Sequence, residues 1–155
     1  MTRRITRTYR QTIQASPDVV FPLLCPVREV EWLEGWRCTM LFAHSGLVED
    51  GAVFTTPGDG EASTVWVVTR YDAVEHAVDF TRFTPGSRVC ALRIRVTPDA
   101  EGQSSVDIAY TYTSIADAGD GFIDRFTEES FLKAVRFWEQ SMNHWLETGE
   151  RLRSA

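Results

Sequence analysis

Apolar and polar residues alternate along most of the chain, and this period of two is typical of strands that bury one face. Ile5, Tyr9 and Ile13 follow the pattern among threonines and arginines, so residues 5–13 are predicted to form the first strand. After Gly35 the alternation returns, broken only by short clusters of turn-forming residues, which favours a meander of antiparallel strands. Six more strands are predicted there, at Trp36–His44, Ala52–Thr56, Thr64–Tyr71, His76–Thr84, Arg88–Thr97 and Ser105–Ile115.

Two short helices are predicted between the first and second strands. Ser16-Pro17-Asp18 provides an N-cap, a proline at the first helical position and an early acid, and Pro22 limits this helix to a couple of turns. A second short helix follows Pro26 and ends at Gly35. Its apolar residues are Val27, Val30 and Leu33.

The C-terminal segment changes to helical spacing, with apolar residues every three or four positions. Thr127 is its predicted N-cap, two glutamates occupy the first turn, and Gly149 lies near its end. A shorter helical piece is predicted just before it, around residues 121–126. The apolar stripe of the long helix is Phe131, Val135, Trp138, Met142 and Trp145.

Strand parity predicts what this helix covers. On the later strands the apolar residues are even-numbered, whereas odd positions carry residues such as Asp79, Arg93 and Asp107. One face of the sheet is therefore expected to be exposed to solvent and the other to be covered by the helix, which is an α+β architecture. The even-numbered apolar set is Val78, Phe80, Cys90, Leu92, Ile94, Val96, Val106, Ile108, Tyr110 and Tyr112.

Composition limits which partners the protein is expected to bind and in which compartment it is expected to lie. The 155 residues carry 16 lysines and arginines against 22 acidic residues, a net charge of −6, so nucleic-acid binding is not expected. No apolar stretch is long enough for stable membrane insertion. Cys25, Cys38 and Cys90 are odd in number and accompany no secretory signal, which indicates a reducing cytoplasm.

Motifs for several kinds of chemistry are missing from the sequence. It contains no CxxC, HExxH, GxSxG, P-loop or glycine-rich dinucleotide turn. The three histidines are far apart, and no group of His, Cys and carboxylate residues has the spacing of metal ligands. We therefore expect neither a metal nor an organic cofactor.

The order of elements and three stretches of sequence resemble the START-like, or SRPBCC, superfamily, which includes polyketide cyclase/dehydrase and lipid-transport domains. The stretches are Ala15–Phe21, the strand Thr64–Tyr71 and the aromatic C-terminal helix. The resemblance implies that residues 1–155 form a single helix-grip domain. In this fold a curved seven-stranded antiparallel sheet wraps around the long C-terminal helix, and two short helices after the first strand close one end of an apolar cavity.

The expected cavity would be lined by side chains on the covered face of the sheet and on the helix stripe. Most such residues only pack the hydrophobic core of a protein, but flat rings are also suited to line a site for a hydrophobic or aromatic ligand. The candidate ligand-binding residues are Met40, Phe42, Phe54, Trp66, Val68, Phe80, Leu92, Ile94, Tyr110, Tyr112, Phe131, Val135, Trp138 and Met142.

Three polar residues share the parity of this face and are candidate catalytic groups. His44 could act as an acid or base at the cavity mouth, with a structural or rim histidine as the alternative. Arg70 could bind a ligand anion, or it could pair with a nearby carboxylate. Tyr110, like Tyr112, could donate a hydrogen bond to a ligand carbonyl or be satisfied by backbone or water.

The second short helix carries Arg28, Glu29, Glu31 and Glu34 beside two tryptophans. We interpret its charged residues as a solvated face with pairs within the helix, and alternatively as a cavity lid or a partner surface.

Three functions remain open from the sequence. The leading hypothesis is the binding or carriage of a hydrophobic small molecule of lipid, polyketide or aromatic type. The first alternative is a cyclase/dehydrase-like enzyme that needs no metal or organic cofactor and uses the polar cavity residues. The second is a protein-interaction module or homodimer that uses Trp32 and Trp36.

Overall fold

The computed structural model describes residues 3–154. Within this range the chain forms seven strands and four helices, in the order that the residue pattern predicts. The strands are β1 (Arg4–Ile13), β2 (Thr39–Phe42), β3 (Val53–Thr56), β4 (Thr64–Asp72), β5 (Ala77–Thr84), β6 (Arg88–Pro98) and β7 (Ser104–Ser114). The helices are α1 (Pro17–Val20), α2 (Pro26–Trp32), α3 (Asp117–Arg125) and α4 (Glu128–Thr148), with a 3-10 turn at Phe21–Leu24 between α1 and α2.

All seven strands of residues 3–154 belong to one antiparallel sheet, in the order β1-β7-β6-β5-β4-β3-β2. From β2 to β7 each strand pairs with the next along the chain, and β1 joins the sheet beside β7. Ile5 lies opposite Tyr112 and Tyr9 opposite Ile108, so the odd residues of β1 face the same side as the even residues of β7. The predicted seven-stranded antiparallel sheet is confirmed.

The long helix α4 is fixed at both ends and packs against β1. The Thr127 hydroxyl accepts the Ser130 N–H at 3.1 Å, and Gly149 ends the helix at a φ of 75°, which a residue with a side chain rarely adopts. Gln11 of β1 donates from Nε2 to the carbonyl oxygen of Val135 at 3.0 Å. Neither α4 nor any other helix within residues 3–154 is long and apolar enough to cross a lipid bilayer.

Helix α2 turns a different face inward from the one predicted. Val27 and Val30 are exposed, whereas Trp32 is fully buried and donates from Nε1 to the carbonyl oxygen of Leu23 at 2.9 Å. Burying the large indole with its N–H satisfied outweighs burying two valines, and this choice rotates the helix. The rotation also points Glu29, which lies three residues before Trp32, toward the protein interior.

Two β-bulges change which face of the sheet the odd and even residues point to, in strands where unbroken alternation was expected. In β2 the register shifts between Met40 and Phe42, and in β4 it shifts between Val68 and Arg70. An extra residue in one strand moves every later side chain to the opposite face. β2 also spans only Thr39–Phe42, shorter than the predicted strand at 36–44.

Candidate ligand cavity

A cavity of about 80 Å³ lies between the covered face of the sheet, helix α2 and helix α4. More than half of its wall consists of aromatic rings, which contact one another around it. The Trp66 ring stacks on Phe54 at 5.1 Å and meets Phe80 and Trp36 edge-on at 5.6 and 5.8 Å. The lining residues are Pro26, Glu29, Leu33, Trp36, Phe54, Trp66, Phe80, Leu92, Ile94, Tyr110 and Trp138.

The floor of the cavity is a row of side chains that runs across three strands. Phe80 of β5 lies opposite Leu92 of β6, and Leu92 lies opposite Tyr110 of β7. Directly opposite residues on one face of an antiparallel sheet have their side chains in contact. The register therefore sets the spacing of these three groups, and the sheet gives them a rigid support.

An open cleft of about 330 Å³ adjoins the cavity between the segment after α2 and helix α4. The cleft and the cavity share four wall residues: Leu33, Trp36, Tyr110 and Trp138. These side chains form the partition between the interior and the surface. A movement of one or two of them would join the two spaces.

Glu29 is a carboxyl group that faces this apolar interior. Among residues 3–154, no donor or cation lies within hydrogen-bond or ion-pair distance of the Glu29 carboxyl oxygens. Burial raises the pKa of the Glu29 carboxyl well above its ordinary value of 4.5, and the positive charge of Arg82 offsets only part of that rise. The raised pKa favours the protonated form of Glu29, which can donate a hydrogen bond inside the cavity.

Arg82 of β5 lies beside the cavity, opposite Trp66 in the sheet register. Its guanidinium carbon sits 4.1 Å from the centre of the Trp66 ring, and Nη1 donates to the Tyr112 hydroxyl at 3.1 Å. The Nε atom is buried and finds no acceptor among the described residues. This leaves a positive charge with unused donors next to the aromatic wall.

Two further donors face the same region. Burial raises the pKa of the Tyr110 phenol far above its ordinary value of 10.0, so its hydroxyl stays protonated. The Trp138 ring stacks on Trp32 at 6.4 Å, and its buried Nε1–H has no acceptor within residues 3–154. The cavity wall thus offers the Tyr110 hydroxyl as a donor, and the enclosed N–H groups of Trp138 Nε1 and Arg82 Nε lie beside it without acceptors among the described residues. No three His, Cys, Asp or Glu side chains of the described chain come together as they would around a metal ion.

The structure brings half of the predicted ligand-binding residues to the cavity wall and places most of the others in the packed core. Met40 is half-buried at the edge of the core, and Phe42 is exposed. The residues on the wall are Phe54, Trp66, Phe80, Leu92, Ile94, Tyr110 and Trp138. Those buried in the core are Val68, Tyr112, Phe131, Val135 and Met142.

Of the three predicted catalytic candidates, only Tyr110 lines the cavity. The bulge in β2 turns Phe42 outward, and the exposed His44 packs edge-on against its ring at 5.0 Å. The bulge in β4 does the same to Arg70, whose Nη2 lies 3.5 Å from the Asp72 carboxylate. The expectation that His44, Arg70 and Phe42 face the interior was wrong, because it assumed unbroken alternation.

Arg82 was missing from the predicted site residues and Glu29 was predicted first on a solvated face, although the sequence contains a signal for each. Arg82 continues the even-numbered set of Val78 and Phe80, so parity places it on the covered face. Glu29 lies three residues after Pro26 and three before Trp32, which is the spacing of one helix face. The first interpretation placed Glu29 on a solvated face of α2, and its position in the cavity wall instead fits the alternative of a cavity lid.

Fold and cavity together define a helix-grip protein of the kind that holds hydrophobic small molecules between its sheet and its C-terminal helix. The chain belongs to the polyketide cyclase / dehydrase and lipid transport family, whose model matches residues 4–137. Comparison with curated proteins finds no match.

Solved structures with the same fold come from proteins of low sequence identity. Norcoclaurine synthase from Thalictrum flavum, solved in complex with dopamine and hydroxybenzaldehyde, is 13% identical, with a TM-score of 0.68 over 99% of this chain and 91% of that chain. Ara h 8.0201 is 13% identical, with a TM-score of 0.67 over 94% and 99% of the two chains. DynU16, from the dynemicin biosynthetic locus, is 15% identical, with a TM-score of 0.60 over 94% of this chain and 48% of that chain. At these identities the likeness establishes the fold alone.

Proposed function

We propose that the protein binds a small, flat, hydrophobic molecule in the cavity between the sheet and α4. The observation that carries the proposal is the ring-lined space itself, which the Phe80, Leu92 and Tyr110 row supports and which shares a wall with an open cleft. A close-packed interior normally fills such a space, and a void costs stability. A site for a ligand accounts for that cost.

The size of the cavity limits what enters without movement. An engineered apolar cavity of about 150 Å³ in another protein accepts benzene, and this one measures about 80 Å³. A single ring therefore has to displace part of the partition formed by Leu33, Trp36, Tyr110 and Trp138 into the cleft. The fold tolerates such ligands in at least one solved example, the norcoclaurine synthase complex with dopamine and hydroxybenzaldehyde.

Native mass spectrometry of the protein, purified under mild conditions, tests the proposal. We expect an adduct that disappears on denaturation, and we expect the variant Leu92→Phe to lose it because the larger ring occupies the cavity. Leu24→Phe, at an equally buried position in the 3-10 turn, is the matched control and should keep the adduct. An adduct that persists in Leu92→Phe would place the ligand elsewhere and contradict the proposal.

Catalysis is the second candidate function, and Glu29 is the observation that favours it. The Glu29 carboxyl, whose pKa is raised by burial, and the Tyr110 hydroxyl both line the cavity, where they could protonate or polarise a ligand carbonyl as a cyclase or dehydrase requires. Glu29→Gln keeps the shape and removes the transferable proton. If the protein is an enzyme, this variant should bind its substrate and fail to turn it over, and unchanged turnover would exclude this role of Glu29.

Homodimerisation stays a prediction, but through other residues than first expected. Trp32 is fully buried, and Trp36 is half-buried with its Nε1–H donated to the carbonyl oxygen of Pro26 at 2.8 Å, so neither presents a free aromatic surface. The apolar side chains that α2 and β2 expose are instead Val27, Val30, Leu41 and Phe42. A reducing cytoplasm remains the proposed compartment, since all three cysteines are free thiols.

A further inference from the structure

Arg82 is an enclosed arginine that lacks a counter-ion. No carboxylate oxygen of the described chain lies within 4.0 Å of its guanidinium, and the buried Nε has no acceptor there. The guanidinium makes one hydrogen bond within residues 3–154, in which Nη1 donates to the neutral hydroxyl of Tyr112. Enclosed charges in proteins are almost always paired, because an unpaired one keeps the full cost of lost hydration.

The buried Arg88 of β6 follows that rule, and so does the partly exposed Arg95 of the same strand. Arg88, which stacks on the Phe122 ring at 3.6 Å, holds both carboxylate oxygens of Glu61 at 2.9 and 3.1 Å. Arg95 forms the same bidentate pair with Asp79, with its Nη1 and Nη2 donating to the two carboxylate oxygens at 2.6 and 3.2 Å. Arg82 shares the ring contact of Arg88 but has no carboxylate, and the ring that it contacts, Trp66, lines the cavity.

The free edge of the guanidinium is the edge that binds carboxylates. Tyr112 occupies Nη1, which leaves the parallel N–H groups of Nε and Nη2 without acceptors among the described residues. Those two donors match the spacing of two carboxylate oxygens. Nε is enclosed by neighbouring side chains and Arg82 stands behind the lining residue Trp66, so a ligand carboxylate has to displace that packing to reach this edge.

The guanidinium and the cavity are neighbours in the sheet. Arg82 follows the lining residue Phe80 by two positions on β5 and stacks on the lining residue Trp66. Its positive charge acts on the Glu29 carboxyl across the cavity, where it favours the ionised form. A ligand ring held among the aromatic walls can therefore carry a substituent that reaches Arg82.

We infer that the ligand is a small aromatic acid, whose ring lies in the cavity and whose carboxylate accepts hydrogen bonds from Nε and Nη2 of Arg82. This inference rests on the proposed function and names the chemical class of its ligand. Apolar contact alone supports only weak binding: burying about 150 Å² of ring surface at about 25 cal/mol per Å² gives a dissociation constant of about 2 mM at best, before the entropic cost of association. The paired carboxylate supplies the additional affinity and the selectivity.

Benzoate and benzamide are a matched pair of probes for this inference, because they have nearly the same shape and differ in charge. Isothermal titration calorimetry on the full chain should give about tenfold or tighter binding for benzoate. The variant Arg82→Met should bind both probes with the affinity of the neutral one. Arg70→Met, at an exposed arginine outside the cavity, is the control and should keep the preference.

Two further readouts separate a ligand-binding role of Arg82 from a structural one. The Nε–Hε resonance of Arg82 should shift in ¹⁵N NMR spectra on addition of benzoate and stay in place with benzamide. Arg82→Met should also melt at the same temperature as the wild type or higher, since it removes an unpaired enclosed charge. A structural arginine would give the opposite result, a lower melting temperature.

The outcomes are distinguishable. If both probes bind equally, or if Arg82→Met keeps the preference for benzoate, the inference is overturned and the proposed cavity function stands. If neither probe binds the wild type at millimolar concentration, the proposed function fails and the inference fails with it.

Discussion

Replacing Leu92 with phenylalanine tests whether the space beside this residue is a true void. Leu92 is buried in the middle of β6 and lines the cavity. At about 24 cal/mol per Å³, an empty cavity of about 80 Å³ costs the fold about 2 kcal/mol. A phenyl ring that enters it recovers up to that amount, so the variant should be at least as stable as the wild type.

The control is the same substitution at Leu24, which is equally buried but lies in the 3-10 turn. Adding volume to a filled core costs about 1–3 kcal/mol, so Leu24→Phe should be destabilised. Urea unfolding should separate the two variants by about 1 kcal/mol or more, and their melting temperatures by about 2 °C or more. Equal destabilisation of both variants would refute the cavity at Leu92.

Three more predictions follow from single sites. Gly119→Ala should lower the free energy of unfolding in urea by about 1–3 kcal/mol, because the new Cβ would lie 2.0 Å from the Ser87 carbonyl oxygen. Gly121→Ala is the control in the same helix, since its Cβ meets only the flexible end of Arg125 at 3.3 Å. This variant should raise the free energy of unfolding by up to about 1 kcal/mol. Thr127→Ala should cost about 1 kcal/mol by removing the N-cap of α4, and no loss in the same assay would contradict that role. Glu29 has its pKa raised on folding, so the native state binds the extra proton and stability falls as pH rises above about 4.5. Glu29→Gln should therefore match the wild type below pH 4.5 and gain stability over it as pH rises, and a pH-independent difference in melting temperature would contradict the raised pKa.

The architecture could be predicted from the residue pattern because its signals are long and repetitive. The alternation in β5 to β7 runs over many residues, and the stripe of α4 is closed by Thr127 and Gly149, which the structure confirms as caps. The same parity placed Phe80, Leu92 and Tyr110 on the covered face, where they form one row of the cavity floor. Register and burial leave little freedom in such regular segments.

The polar part of the site could not be predicted in the same way, since single residues decide it. One extra residue in β2 and one in β4 reverse the facing of Phe42 and Arg70, and neither Met40–Phe42 nor Val68–Arg70 contains a glycine or proline that signals a bulge. The inward position of Glu29 depends on how α2 rotates, which the burial of Trp32 fixes only in three dimensions. Short helices and edge strands carry too few residues for a pattern to outweigh such local choices.

Methyl-labelled NMR spectroscopy with benzamide as a neutral probe tests the central claim most directly. If a hydrophobic molecule occupies the cavity, the methyl resonances of Leu33, Leu92 and Ile94 should shift through the ring current of the probe, and those of the buried Leu24 should not. Shifts confined to the exposed methyl groups of α2 and β2, or no shifts at saturating probe, would contradict a ligand site between the sheet and α4.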